Sequence, residues 1–342
     1  MYIMYRLPKI LFLILLVFLF SCKTESDNKE LDLSHVSVDI KINRFEKDLF
    51  VLQNSDSIEE GLSELNQKYG LFYHSFTEEI IKVGNYQDPA MSYYLKMFLN
   101  DKNVLEAYNF TIDKYANLES VEADFIKSFK YVKHYMPDLP QPKIVSFYSH
   151  FNYPIVVYDS LLAIPLEKYL GSNCEYYDLL TIPGYKKVSM NKENIITDAM
   201  SAWVNEQFNL KPSGTMVLDE MIYYGKLLYA LDLLTPFRED SIKIGYSAEH
   251  LQWCFENEPQ VWEFLMQKEL IFSSDAKNIK KYIGEGPFTP GFPDGSPGKI
   301  GHWVGWQIVR KYAENTDLPL EKILLEENSQ KILQVSKYKP SK

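Results

Sequence analysis

Histidine is scarce in this sequence, and no two histidines are close together. The 342 residues include six histidines, and no two of them lie within five positions of each other. A helical zinc site of the H-E-x-x-H type needs two histidines four residues apart, because that spacing places both on one helix face. The sequence contains no such motif, and we predict a protein without a metal site and without a cofactor.

Two other catalytic motifs are also missing. No G-x-S-x-G pentapeptide occurs, which excludes the nucleophile elbow of many serine hydrolases. Residues 284–298 include five glycines, but the interleaved prolines lack N–H donors and no Gly-Lys-Ser/Thr follows, so a phosphate-binding loop is not predicted. We expect an irregular surface loop there. Acidic residues number 46, so a pair of carboxylates that meets only in three dimensions stays open.

Basic residues are outnumbered. The chain has 36 Lys and Arg against 46 Asp and Glu, a formal net charge of −10. Nucleic-acid-binding proteins usually carry a cluster or stripe of positive charge, which this composition lacks. The sequence predicts no nucleic acid among the partners. Hydrophobic content of 46% and aromatic content of 15% instead indicate a globular protein with a large core.

The N-terminus resembles a bacterial lipoprotein signal. Arg6 and Lys9 precede an apolar run at 10–20, and Ser21 and Cys22 follow it. Eleven apolar residues are too few to span a bilayer, which takes about 20. We predict a signal peptide at 1–21 and a lipid on Cys22 that attaches the protein to a membrane. An ordinary signal peptide with a chance cysteine is the alternative.

The remaining chain is predicted to form one α+β body, mostly helical, with a small sheet. Residues 22–36 are polar and charged, as expected of a tether, and the body is assigned to 37–342. Strands are predicted at 36–43 and, as a neighbouring pair, at 144–148 and 154–158. Helices are predicted from about 58 to 136 and in these segments: 191–211, 217–234, 248–267 with an interruption at Pro259, and 300–315.

A glycine- and tryptophan-rich segment at 301–310 permits two interpretations. Gly301 and Gly305 lie four residues apart beside Trp303 and Trp306. Glycine costs about 1 kcal/mol relative to alanine inside a helix, so close packing against another backbone would explain its use. The favoured interpretation is a helix contact in the core, and the other is a partner-binding groove lined by Trp303 and Trp306. Cys174 and Cys254 are left open as either a disulfide or two buried thiols.

Several short segments in fixed order resemble the gliding-motility lipoprotein B family (GldB) of Bacteroidetes. They are Arg44-Phe45-Glu46, Met221 to Pro236, Gln252 to Glu258, Ser296 to Arg310 and Ser336 to Pro340. The resemblance implies an envelope lipoprotein that supports gliding motility and the associated type IX secretion machinery. It implies other gliding or secretion envelope proteins as partners and the periplasmic face of the outer membrane as the location.

The same family is distantly similar to zinc metallopeptidases of the zincin type. If the helices correspond, Thr197, Asp198 and Ser201 occupy the places of His, Glu and His in H-E-x-x-H, and Glu220 takes the place of the downstream acid. The resemblance then implies a degenerate zincin-like scaffold that keeps a cleft. We therefore predict a protein that acts by binding or assembly and is not an enzyme. The alternative is an envelope hydrolase that uses dispersed carboxylates or an unrecognised metal site.

Overall fold

A mixed sheet of four short strands forms the smaller part of the structure. The structure is a computed structural model, and it describes residues 31–340 except 56, 159 and 294. The strands run in the order β1-β2-β4-β3. Strand β2 is parallel to β1 and to β4, whereas β3 is antiparallel to β4. Their bounds are β1 Ile42–Arg44, β2 Lys143–Phe147, β3 Val156–Tyr158 and β4 Leu161–Pro165.

Two strand predictions are wrong in detail. The alternating pattern at 36–43 yields only β1, because β2 pairs with residues 42 to 44 alone. The pair predicted at 144–148 and 154–158 forms as β2 and β3, but these strands are not neighbours. Strand β4 lies between them, and its buried run of Leu162, Ala163 and Ile164 gives no alternation for a sequence pattern to detect.

Helices make up most of the body, as predicted, and confirm the α+β class. Several of them begin at a polar cap. The Asp101 carboxylate accepts hydrogen bonds from the backbone N–H groups of Asn103 and Val104, which start α5. The helices before the second strand are α1 Phe45–Phe50, α2 Ile58–Tyr69, α3 Leu71–Ser75, α4 Met91–Asn100, α5 Lys102–Lys114 and α6 Glu119–Tyr135.

The second half of the body is a helical bundle. Two of its longest helices, α10 and α12, have the bounds that apolar periodicity predicts. The helices are α7 Glu175–Leu179, α8 Gly184–Lys187, α9 Asn194–Gln207, α10 Val217–Leu234, α11 Asp240–Ile244, α12 Ala248–Gln267, α13 Ala276–Tyr282, α14 Ile300–Thr316, α15 Leu320–Leu324 and α16 Ser329–Ser336. As expected, residues 284–298 contain no helix or strand among the residues described there.

Helices α10 and α14 pack backbone against backbone. A Cβ placed on Gly305 would lie 1.8 Å from the carbonyl oxygen of Met221, and one on Gly225 would lie 2.3 Å from that of Gly305. Only glycine permits this approach. The predicted close contact with another helix is therefore confirmed at Gly305. At Gly301, an added Cβ would instead lie 2.5 Å from the Ile283 side chain and 3.0 Å from the Tyr282 carbonyl oxygen.

Pro259 does not interrupt its helix, contrary to the prediction. Helix α12 is continuous across it. Proline cannot donate to the carbonyl four residues earlier, which belongs to Phe255. Since Phe255 is 49% exposed, water can satisfy that carbonyl, and the helix survives.

One compact unit covers Val36–Lys342. Within the described ranges, no helix is both long enough and apolar enough to cross a membrane. The predicted signal peptide at 1–21 and the predicted lipid attachment residue Cys22 lie outside the described residues, as does most of the predicted tether.

Candidate functional site

A cleft opens in the helical half of the body. It consists of two adjoining cavities of about 910 Å³ and 660 Å³. Both cavities are lined by Asp198 from α9, Tyr224 from α10, Lys299 at the start of α14 and Glu285 from the Gly/Pro-rich loop. The cleft is therefore bordered by the α10–α14 pair, and its larger cavity alone lies near the upper end of the range of about 300–1,000 Å³ for small-molecule sites.

All four residues predicted from the zincin resemblance line the smaller cavity. Thr197, Asp198 and Ser201 come from α9, and Glu220 comes from the first turn of α10. The Thr197 hydroxyl donates to the Asn194 carbonyl at 3.0 Å and is fully buried, which makes it part of the cavity wall. The structure thus places these four residues along one cavity.

The side chains at these positions do not make a metal site. Threonine and serine hydroxyls replace the two imidazoles that would hold zinc. Across the described part of the chain, no group of three or more His, Cys, Asp or Glu side chains is arranged to hold a metal ion. The chemistry that this cleft offers is hydrogen bonding and charge.

Asp198 is the central carboxylate of the cleft. Its Oδ2 accepts a hydrogen bond of 2.9 Å from the Tyr169 hydroxyl. The side chain is exposed to the cavity, but protein surrounds the cavity, and the poor solvation there raises the pKa of Asp198 from 3.8 to about 6. The Tyr169 hydrogen bond and the charge of Lys299 act in the opposite direction, and the negative charge of Glu285 adds to the rise.

Lys299 is the cation of the cleft, and sequence analysis missed it. It precedes α14 with a left-handed backbone (φ 47°), and the Tyr246 hydroxyl lies 2.7 Å from the Gly298 carbonyl oxygen and 3.2 Å from that of Lys299. Among the described residues, its ammonium group has no hydrogen-bond partner and no carboxylate within ion-pair distance. Burial lowers the pKa of Lys299, and the negative charges of Glu285 and Asp198 partly offset this.

His302 stands one turn further along α14 and was also missed. Its ring stacks on Tyr224 with centroids 3.6 Å apart, and its Nε2 is buried without a hydrogen-bond partner among the described residues. Burial, reinforced by the charge of Lys299, holds the pKa of His302 well below its usual value. The ring is therefore neutral at physiological pH and serves as a polar wall. Both missed residues lie beside Gly301, so the glycine-rich segment at 301–305 was the sequence feature that could have pointed to them.

Trp303 and Trp306 do not form a partner-binding surface. They are 1% and 0% exposed, and their rings contact each other at a centroid distance of 6.0 Å. The Trp306 indole N–H donates to Asp232 at 2.8 Å. The groove interpretation is wrong, because the close α10–α14 contact turns both indoles into the core.

Cys174 and Cys254 are both free thiols, and both are buried. The disulfide interpretation is thereby excluded for this structure. Burial raises the pKa of the Cys254 thiol well above its usual value, which makes it an unreactive core residue.

Comparison with known proteins identifies one family. A family model described as gliding motility protein GldB matches residues 26–340. No curated protein and no solved structure matches this chain. The similarity to zinc metallopeptidases therefore stays a prediction that depends on the helix correspondence alone.

Proposed function

Because this chain belongs to the family of the gliding motility protein GldB, we propose that it supports gliding as a membrane-anchored envelope protein, and that it does so by binding, without catalysis. The proposal includes a role beside the type IX secretion machinery, contact with other gliding or secretion envelope proteins, and a lipid on Cys22. The name of the matching family model, which marks its members as lipoproteins, supports the lipid anchor. The periplasmic face of the outer membrane is the proposed location.

The observation that carries the binding role is the state of the charges in the cleft. Asp198 receives one hydrogen bond, and Lys299 receives none from the described residues. Charged groups inside a protein are normally paired, since an isolated charge is costly to desolvate. A cleft that keeps a carboxylate and an ammonium group apart is suited to a ligand that completes their interactions.

Complementation of a gliding bacterium that lacks its own GldB gene tests this proposal. The wild-type chain should restore gliding and should fractionate with the outer membrane, protected from protease added to intact cells. Cys22→Ser should release the protein from the membrane and abolish gliding. Wild-type chain that is present in the envelope but restores no movement would overturn the gliding role, and Cys22→Ser protein that still fractionates with membranes would overturn the lipid anchor.

One observation favours a second function, an envelope hydrolase. A carboxyl group with a pKa of about 6, such as Asp198, can serve as a general acid or base near neutral pH, and Glu220 lines the same cavity. Mass spectrometry of peptides incubated with the purified protein separates the functions. Cleavage that disappears in Asp198→Asn would establish the hydrolase, whereas intact peptides would support binding without catalysis.

A further inference from the structure

The ammonium group of Lys299 lies on the floor of the cleft, near Gly245. A Cβ placed on Gly245 would be 3.8 Å from the Lys299 Nζ, and Gly245 itself lines both cavities. The other lysines of the cleft differ from it. Lys243 binds Asp232 at 2.9 Å, and Lys186 binds Glu285 at 3.1 Å at the rim. Lys168 donates to the Phe151 carbonyl at 2.7 Å, and Lys280 is exposed. Lys299 is thus a partly buried cation of the cleft without a hydrogen bond or an ion pair to the described residues, and its Nζ lies 5.9 Å from the centroid of the Tyr246 ring.

The walls of the larger cavity are apolar along much of their length. Apolar side chains from several segments share this lining: Ile155, Pro165, Ile182, Pro183, Val188 and Met190. Polar groups interrupt them at intervals. The Asn205 side-chain oxygen accepts a hydrogen bond from the Tyr223 hydroxyl at 2.9 Å, which leaves its amide N–H groups available, and Ser201 and Ser247 add hydroxyls. Such a surface can hold apolar side chains and, between them, the polar groups of a peptide backbone.

From these features we propose that the cleft binds the C-terminal end of a partner peptide with apolar side chains, and that Lys299 pairs with its terminal carboxylate. This inference rests on the proposed binding function and names its ligand. Two observations set the charge of the ligand. Lys299 supplies one positive charge, and Asp198 and Glu285, which line the same cavities, supply negative charges nearby. Lys186 offsets the charge of Glu285 through their ion pair at 3.1 Å, so Lys299 and Asp198 set the balance of the inner cleft. A single carboxylate adds one negative charge, which protonation of Asp198 would offset, whereas a phosphate dianion adds two.

Binding of a carboxylate has a further consequence at Asp198. A second negative charge nearby favours the protonated form of a carboxyl group whose pKa is already about 6. Protonated Asp198 has an O–H group that can donate a hydrogen bond to an incoming carboxylate or peptide carbonyl. The two charged residues of the cleft thus act in one binding event, Lys299 as the cation and Asp198 as the proton-sensitive neighbour.

Fluorescence anisotropy with the full chain in detergent tests this inference. The probe is a labelled pool of hexapeptides composed of Ala, Val, Leu and Tyr, offered with free carboxyl ends or with amidated ends. Decanoate serves as a competitor that carries a carboxylate on an acyl chain. We expect the amidated pool to bind at least about tenfold more weakly, about 1.4 kcal/mol, and Lys299→Met to remove the preference for the free carboxyl end. Lys277→Met changes an exposed lysine of α13 that lines neither cavity, so it is the matched control and should bind as wild type does.

Three results would overturn the inference. Equal binding of both pools would show that the terminal carboxylate is not recognised. Binding of neither pool would show that peptides of this kind are not ligands of the cleft. Decanoate that binds more tightly than the peptides would assign the site to an acyl ligand. Each of these results is independent of the gliding complementation, so a chain that restores gliding but ignores peptides disproves only this inference.

Discussion

Two groups of charged side chains border the α10–α14 pair, and they differ in how completely they are paired. In the first, which we call the Asp232 cluster, Arg310 donates to Asp232 from Nε at 2.7 Å and from Nη2 at 2.8 Å, and to Asp240 at 2.8 Å. Lys243 binds the same two carboxylates at 2.9 and 3.0 Å. Trp306 donates to Asp232 as well. Every charge of this cluster is satisfied by protein groups, so its role is to join α10, α11 and α14.

The charges of the cleft are held in a different way. Lys299 forms no ion pair within the described ranges, Asp198 has the single Tyr169 hydrogen bond, and Glu285 is paired only at the rim with an exposed lysine. Both groups combine lysine with aspartate, so the difference lies in the direct partners of these side chains. Charges that are fully paired within the protein, as in the Asp232 cluster, contribute to the fold. Charges without such partners, as in the cleft, cost some stability but can bind a ligand.

The largest expected effect comes from breaking the scaffold that both groups share. Gly305→Ala places a methyl group within 1.8 Å of the Met221 carbonyl oxygen, so α10 and α14 must separate. We expect a loss at the upper end of about 1–3 kcal/mol, or beyond it, in the free energy of unfolding measured with denaturant. Gly184→Ala is the control, because nothing lies within 4 Å of its Cβ, and its stability should be unchanged. Equal stability of the two variants would contradict the backbone contact.

Arg310→Met opens the Asp232 cluster. The substitution keeps an unbranched apolar stem but removes the guanidinium group, which leaves two carboxylates with Lys243 as their shared cation. We expect a loss of about 2 kcal/mol in the free energy of unfolding, since partly buried acceptors lose their donors. Lys299→Met, compared in the same denaturant series, should cost far less, because the Lys299 ammonium group has no hydrogen bond or ion pair to lose and only a long contact with the Tyr246 ring, 5.9 Å from Nζ to the centroid. A larger loss in Lys299→Met than in Arg310→Met would reverse the distinction between the groups.

The smallest effect is on the pH dependence of stability, which we expect to have opposite signs at two carboxyl groups, Asp198 and Asp240. Burial raises the pKa of Asp198 to about 6, so between pH 3.8 and 6 the folded state binds more protons than the unfolded chain, and stability falls as pH rises. At Asp240, burial acts in the same direction, but the charges of Arg310 and Lys243 outweigh it and lower the pKa, so stability is lost as pH falls through that lowered value.

Asparagine at either position removes these contributions. Asp198→Asn should unfold at a slightly higher temperature than wild type at neutral pH. The gain in the free energy of unfolding should be less than about 1 kcal/mol, because the side chain is exposed to the cavity, and it should vanish near pH 4. Asp240→Asn should unfold at a lower temperature at neutral pH. Thermal unfolding across this pH range measures both, and shifts of the same sign would show that the two carboxyl groups do not differ as described.

The sequence predicts much of the helical framework and little of the cleft. Helices α10 and α12 have their expected bounds because apolar residues repeat along them with a period near 3.6. Strand β4 was missed because its buried run carries no alternation. Lys299 was missed for a different reason: its importance comes from the convergence of α9, α14 and the Gly/Pro-rich loop, which are distant in sequence. Thr197, Asp198, Ser201 and Glu220 were found as a set only through a family resemblance.

Gliding of cells that carry Lys299→Met in place of the wild-type chain, with equal protein in the envelope, tests the central claim most directly. If the open charges of the cleft exist to bind a partner, these cells should not glide although the variant is as stable as the wild type. Cells with Lys277→Met, a change outside the cleft, should glide normally. Normal gliding of the Lys299→Met cells would contradict the account, because the cleft would then have no part in the function of this protein.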